Sequence, residues 1–241
     1  MIDMHCHILP GIDDGAKDMA ESLSLVQLAV EQGVKRIVAT PHIQLGRYDN
    51  TLGIIEAKLF QLRTALSYLN LDVEVSAGAE IRICPEIMLL VQQNQLPFIG
   101  SYEGDNVMLM ELPHSHVPPG TDKLINWLMK NGVRPMIAHP ERNREFQANP
   151  KKIEPFIRQG CLFQLTASVL TGDMGDTSLS LAKKWLLNDV FTIIATDSHS
   201  VKRRPPRLLG AFQEASRLLG EEKAIDLVSH TPRLISEVKF N

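Results

Sequence analysis

Seven short apolar runs, spaced so that a helix fits between most of them, limit this chain to few architectures. They are IDMH at 2–5, KRIVAT at 35–40, VEVSAG at 73–78, VMLMEL at 107–112, RPMIAH at 134–139, CLFQLT at 161–166 and FTIIATD at 191–197. Runs this short and this continuously apolar read as strands covered on both faces, the habit of parallel sheets packed under helices. The intervening sequence agrees. Asp18 with Glu21 three residues on has capping-box spacing ahead of LSLVQLAV, and Gly33 supplies a stop. Amphipathic stretches recur at 53–69, 121–131, 150–159 and 177–188. Strand and helix alternating without a break in composition predict an α/β fold, one domain over residues 1–241 built as a parallel, closed or nearly closed barrel. The proline-rich pieces VPPG at 117–120 and RRPPR at 203–207 each follow a strand end, so they read as stiff rim loops rather than linkers.

Such a barrel puts all its strand C-termini on one rim, which is where side chains from distant parts of the sequence meet. His5 and His7 lie one residue apart, so in a strand they project to the same side while Cys6 points away. His42 follows the second run, Glu80 the third, and Glu111 sits at the end of the fourth. His139 ends the fifth, Asp197 the seventh, and His199 makes a second same-face pair; the sixth run offers no ligand. Five of the eight histidines therefore collect at one rim, leaving His114, His116 and His230 elsewhere. Asp14 in the GIDDGA loop is the remaining oxygen donor, with Asp13 as its close rival. Imidazoles mixed with carboxylates suit manganese, iron or zinc. Nine donors exceed the needs of one ion, implying two or three metals that share a bridging carboxylate. Clusters of this kind acidify a bound water and clamp phosphoryl oxygens, the chemistry of phosphoester hydrolysis. Cys6 reads as buried apolar filler.

Bulk properties narrow the classes further. With 44% hydrophobic residues in 241, the chain can bury a full core. No apolar run approaches the roughly 20 residues that span a bilayer, and no charged-then-apolar leader opens the sequence. Three cysteines without close pairing suit a reducing compartment, so the expectation is a cytoplasmic protein with no membrane insertion. A net charge of −3 and 5% aromatics give no general attraction for nucleic acid.

The motifs HCHILPGIDDGA, ATPH, GAE at 78–80, MELP, IAHPER and ATDSH resemble those of the polymerase and histidinol phosphatase superfamily over nearly the whole chain. The DDG loop and the HPER and RRPP segments are similar to its bacterial capsule and exopolysaccharide tyrosine phosphatase branch. The resemblance implies a distorted, TIM-like seven-stranded β/α barrel with three divalent metals, manganese first and iron or zinc as alternatives. It implies one metal on His5, His7, Glu80 and Asp197, a second on Glu80, Glu111 and His139, and a third on Asp14, His42 and His199. Arg142 in HPER and Arg204 in RRPP match the branch's phosphate-binding arginines, and a guanidinium fork suits phosphate oxygens. Arg203 and Arg207 are open between that role and a solvated basic loop.

The expected activity is metal-dependent hydrolysis of phosphotyrosine by a metal-bridging hydroxide, and by resemblance the substrate is the tyrosine-rich tail of a bacterial tyrosine autokinase. A thiol route is disfavoured, because no cysteine has arginine at CxxxxxR spacing, and the GxSxG elbow is missing too. Rivals are histidinol phosphatase, a nuclease, and a regulatory metal-binding module without turnover. Leu45, Tyr48 and His114 are candidates to line the entrance.

Overall fold

The protein is described here by a computed structural model covering residues 1–240. Ten strands form its frame: β1 (Ile2–Asp3), β2 (Arg36–Ala39), β3 (His42–Ile43), β4 (Glu74–Ala77), β5 (Glu80–Arg82), β6 (Gly100–Tyr102), β7 (Asp105–Glu111), β8 (Val133–Ala138), β9 (Leu162–Thr166) and β10 (Ile193–Ala195). β1, β2 and β4 make one parallel sheet, and β10-β9-β8-β7-β5-β3 make a second, with β6 added antiparallel to β7. All seven expected runs contain strand.

The two sheets are one ring with breaks in it. Between β2 and β3 lie Thr40 and Pro41, and proline brings no N–H to a ladder. Between β4 and β5 lie Gly78 and Ala79; a Cβ on Gly78 would meet Phe98 O and Ile99 Cγ2 at 2.8 Å, so only glycine passes there. Hydrogen bonds from Gly78 N to Ala39 O (2.9 Å) and Glu80 N to Pro41 O (3.1 Å) carry the pairing across both breaks. At the other seam, Asp197 N donates to His5 O at 2.7 Å and His7 N to Ser198 O at 2.8 Å. The result is a distorted parallel barrel in which His5–His7 and Asp197–Ser198 run side by side.

Alternation along the strands separates two layers. Val107 and Leu109, Ile193 and Ala195, and Leu162 belong to a small inner apolar cluster with Met4, Val38 and Met136. Their neighbours Met108, Met110, Ile194 and Phe163 pack outward into the large cluster under the helices. Two residues further along the inner face of each strand come Glu111, Asp197 and Gln164. Polar side chains thus cap the inner core at the C-terminal end of the strands. Cys6, 1% exposed, packs into the outer cluster, as its parity requires.

The helices Met19–Glu31, Leu52–Leu66, Thr121–Lys130 and Asp176–Leu186 match the expected segments to within a few residues. Asp18 caps the first, accepting from Glu21 N at 2.9 Å; Glu21 reaches back to Lys17 N rather than to the cap residue. The stretch 150–159 is a 3-10 turn, Pro150–Ile153, followed by a short helix, Glu154–Arg158, because Pro155 starts a new first turn instead of continuing the old one. Three helices after the last strand, Leu208–Leu219, Glu221–Ile225 and Thr231–Ser236, have no counterpart in the sequence reading. The last of them sends Ile235 into the inner cluster. No helix among the described residues is long and apolar enough to cross a membrane.

Candidate metal centre

At the C-terminal rim, register brings the donors together. His42 on β3 is the partner of Glu80 on β5, and Arg82 on β5 is the partner of Glu111 on β7. His5 Nε2 and His7 Nε2 lie 3.4 Å apart. Glu80 Oε2 is 3.3 Å from each, and Asp197 Oδ1 is 3.3 and 3.4 Å from them. Donors held about 2.0–2.2 Å from one tetrahedral ion stand about 3.3–3.6 Å from one another, so these four have the spacing of a ligand shell. Both imidazole nitrogens and both carboxylate oxygens face the same point, the place a shared cation would occupy.

The outer nitrogens explain that aim. His5 Nδ1 donates to Gln164 Oε1 at 2.9 Å, and the same oxygen accepts from His139 N. His7 Nδ1 donates to Asp13 Oδ2 at 2.8 Å. His199 Nδ1 donates to Asp197 O at 2.9 Å. With Nδ1 engaged, each ring presents Nε2 inward, the arrangement by which metal-binding histidines are oriented. The rivalry between the two aspartates resolves accordingly. Asp13, its side chain buried, orients His7, while Asp14 reaches the mouth with Oδ1 3.4 Å from His42 Nε2 and 3.7 Å from His199 Nε2.

Three groups of donors lie within 4.8 Å of one another: His5, His7, Glu80 and Asp197; His7, Asp14, His42 and His199; and His42, Glu80 and Glu111. The first matches the set implied by the resemblance, and the second contains the third set with His7 added. Beside Glu80 and Glu111, however, stands His42 rather than His139. His139 Nε2 instead lies 2.8 Å from Glu80 Oε1, and the residue adopts a left-handed backbone at φ 34°. Asp197 is also left-handed, at φ 51°. Strain of this kind in non-glycine residues collects at functional sites. Metals fit these residues on a further count: His42 Nδ1, Glu80 Oε2 and Glu111 Oε2 are buried without any hydrogen-bond partner. An unsatisfied buried polar atom is costly unless something outside the protein meets it.

The charges respond to this crowding. Burial pushes the Glu111 carboxyl up to about 7, reinforced by Glu80 and opposed by Arg82. Burial also acts to raise Glu80 and Asp197, but the surrounding cations and imidazoles, His5 foremost, hold both well below the carboxylate range. Burial lowers His139 to about 4, with Arg142 adding to it, and lowers His199 to about 2, with His7 adding to it. Both therefore stand as neutral imidazoles, the ligating form.

Arg142 and Arg204 both face Asp197. Arg142 Nη1 lies 2.5 Å from Oδ2, and Arg204 Nη2 pairs with the same oxygen. Arg204 Nε is buried and has no acceptor. With Asp14, His42, Glu80, Glu111, His139 and His199 they line a cavity of about 120 Å³ whose lining residues are all polar or charged. His114 lines it too; Leu45 and Tyr48 do not. Among the described residues Arg203 has no acidic partner, and Arg207 pairs with Asp173 at 3.3 Å, away from the cavity. A larger groove of about 500 Å³ beside Met88, Pro118 and Trp127 holds none of the donors.

Three residues were missed in the sequence. Gln164 is a neutral amide in a run judged ligand-free, yet it orients His5. Arg82 sits 2.9 Å from Glu111 Oε2 through Nε, an ion pair without hydrogen-bond alignment, and Arg47 lines the cavity mouth. The signal for Arg82 was available, since it shares a strand face with Glu80.

A family profile described as capsular polysaccharide synthesis, CpsB/CapC, matches residues 1–237. The chain is 36% identical over 235 residues to the tyrosine-protein phosphatase YwqE of Bacillus subtilis, covering 98% of this chain and 91% of that one. It is 28% identical over 241 residues to the tyrosine-protein phosphatase CpsB of Streptococcus pneumoniae, covering 98% of each. Its backbone superposes with a TM-score of 0.91 and 33% identity, over 98% of this chain and 94% of the other, on a crystal structure from work on YwqE and CpsB, described there as unique metal-dependent tyrosine phosphatases. A zinc-containing histidinol phosphate phosphatase from Lactococcus lactis shares the fold at TM-score 0.57 and 15% identity, covering 92% of this chain and 93% of that one.

Proposed function

The chain belongs to the capsular polysaccharide synthesis CpsB/CapC family, and we infer from that premise that it is a metal-dependent protein tyrosine phosphatase. The reading extends to one phosphatase domain over residues 1–241. Its metal ligands are His5, His7, Asp14, His42, Glu80, Glu111, His139, Asp197 and His199. They hold three divalent ions, manganese first, with iron or zinc as alternatives suited to the same mixed donors. The observation that carries the reading is the nest formed by His5, His7, Glu80 and Asp197, in which the two facing imidazole nitrogens stand 3.4 Å from each other and 3.3–3.4 Å from a carboxylate oxygen of each acid.

Bound metals supply a water acidified to nucleophilic strength and positive charge for the phosphoryl oxygens. The side chains do the rest. Arg142 and Arg204 face the polar cavity and hold the phosphoryl oxygens, sharing their guanidinium hydrogens between substrate and Asp197. Gln164 and Asp13 keep the imidazoles of His5 and His7 in the tautomer that ligates. A phenol, with a pKa of about 10, leaves as phenolate with little help from an acid, which favours an aryl over an alkyl phosphate. The physiological substrate is a phosphotyrosine protein, and the tail of a bacterial tyrosine autokinase is the partner assigned to it. Three free cysteines, two of them buried, agree with a cytoplasmic site of action.

The test is hydrolysis of a phosphotyrosine peptide by the purified protein, before and after exhaustive chelation. Activity that requires metal is expected, and turnover that survives chelation would end the metal reading. Histidinol phosphate cleaved far faster than the peptide would move the substrate while leaving the metals in place.

A further inference from the structure

Four arginines line the catalytic cavity: Arg47, Arg82, Arg142 and Arg204. Arg142 and Arg204 are paired with Asp197, and Arg82 with Glu111. Arg47 alone among the four has no carboxylate within ion-pair reach among the described residues. Its position is nonetheless fixed. It follows Gly46, which turns the chain at φ 79°, and Gln44 and Tyr48 clasp the turn by hydrogen bonds of 3.1 and 2.8 Å. Asn50 Nδ2 ties the base of this loop to His42 O at 2.8 Å and to Ile12 O at 2.9 Å. The Tyr48 ring stacks on His42 at 5.5 Å and 10°, and the Arg47 guanidinium carbon stands 4.9 Å from the Tyr48 centroid. A cation held against an aromatic ring on a clasped turn is oriented before any ligand arrives.

Height in the cavity separates Arg47 from the other arginines. The Arg142 and Arg204 side chains are 16% and 28% exposed and converge below on Asp197, where the phosphoryl group goes. Arg47 is exposed on the lip. The residues before and after a phosphotyrosine must pass that lip for its side chain to enter. We propose that Arg47 is a specificity-determining residue that pairs with an acidic side chain flanking the phosphotyrosine of the substrate. This rests on the phosphatase reading and adds a preference to it: the enzyme favours phosphotyrosine in acidic surroundings, although the chain as a whole carries a net charge of −3.

Three peptides test it, identical but for Glu, Ala or Lys on both sides of one phosphotyrosine, assayed with the metal-loaded enzyme. For an exposed pair the wild type is expected to favour the Glu over the Lys peptide in kcat/KM by about fivefold at low salt. Raising the salt should collapse the preference. R47K keeps it and R47E reverses it. A Glu-to-Lys ratio in R47E equal to that of the wild type overturns the proposal. So does an equal loss on all three peptides, which would place Arg47 on the phosphoryl group or in the fold. A wild-type enzyme that cleaves none of the peptides overturns the phosphatase reading, and this inference with it.

Discussion

Two adjacent aspartates show what single residues contribute here. Asp13 and Asp14 are chemically alike and sit in a loop, where no periodicity assigns a direction to either, so the sequence leaves them as rivals. In three dimensions Asp13 accepts from His7 Nδ1, from His42 N at 3.0 Å and from Gly15 N at 2.9 Å, and His7 holds it at a pKa of about 2. Asp14 makes no such bonds and faces the cavity. D13N should therefore keep the loop and the ligand count while weakening metal binding or activity by about 10–100-fold, the usual scale for a partner behind a ligand. Metal titration of the variant, followed by counting bound ions, checks this; wild-type affinity would show that Asp13 does not orient His7. Gln164 escaped notice for a related reason. A buried glutamine in a strand looks like an ordinary polar core residue until its oxygen is found against two histidines.

At the scale of elements, the alternation of runs was legible because strand length and helix amphipathicity are local properties. What was not legible is the break at Gly78–Ala79, since the demand for glycine there comes from Phe98 and Ile99, which lie opposite it. The left-handed backbone at His139 and Asp197 is equally silent in the sequence, where neither residue is glycine. Gly15 shows a tertiary demand that the DDG motif only hints at. The loop returns so closely that Ala16 N donates to His7 O at 2.9 Å. A Cβ on Gly15 would stand 2.1 Å from that same oxygen and 2.4 Å from His7 Cβ. Neither the backbone oxygen nor the root of the His7 side chain can yield without moving its imidazole. G15A is expected to lose about 1–3 kcal/mol in denaturant unfolding, the range for overpacked sites, and to retain less metal. A variant as stable and as metal-rich as the wild type would mean that the loop shifts freely.

Across the whole molecule, the barrel concentrates Glu80, Glu111 and Asp197 with four of its histidines at one end, all nearly out of solvent. Buried charge of this density requires cations, so metals should stabilise the fold as well as serve the reaction. At a free metal concentration about a thousand times Kd the linkage is about 4 kcal/mol. For a chain of this size that is a fall in Tm of about 8–16 °C on chelation, reversed by adding manganese. The pH dependence of the gap follows from protons that metals displace. Burial acts to lower His5 and His7, but Glu80 and Asp197 for His5, and Asp13 for His7, raise both imidazoles above their ordinary value in the metal-free protein. Glu111 is raised to about 7. All three groups hold protons that ligation must expel, whereas His139 and His199 hold none near neutrality. Groups with raised values support the metal-free fold at low pH and lose that support as pH rises through them, while metal affinity grows over the same interval. The Tm difference between loaded and chelated protein should therefore widen from about pH 6 to about pH 8. Calorimetric metal titration in two buffers of different ionisation enthalpy should yield different heats, because protons leave as metal binds. Equal heats, with a Tm gap independent of pH, would mean that the imidazoles and Glu111 are already deprotonated before the metal arrives.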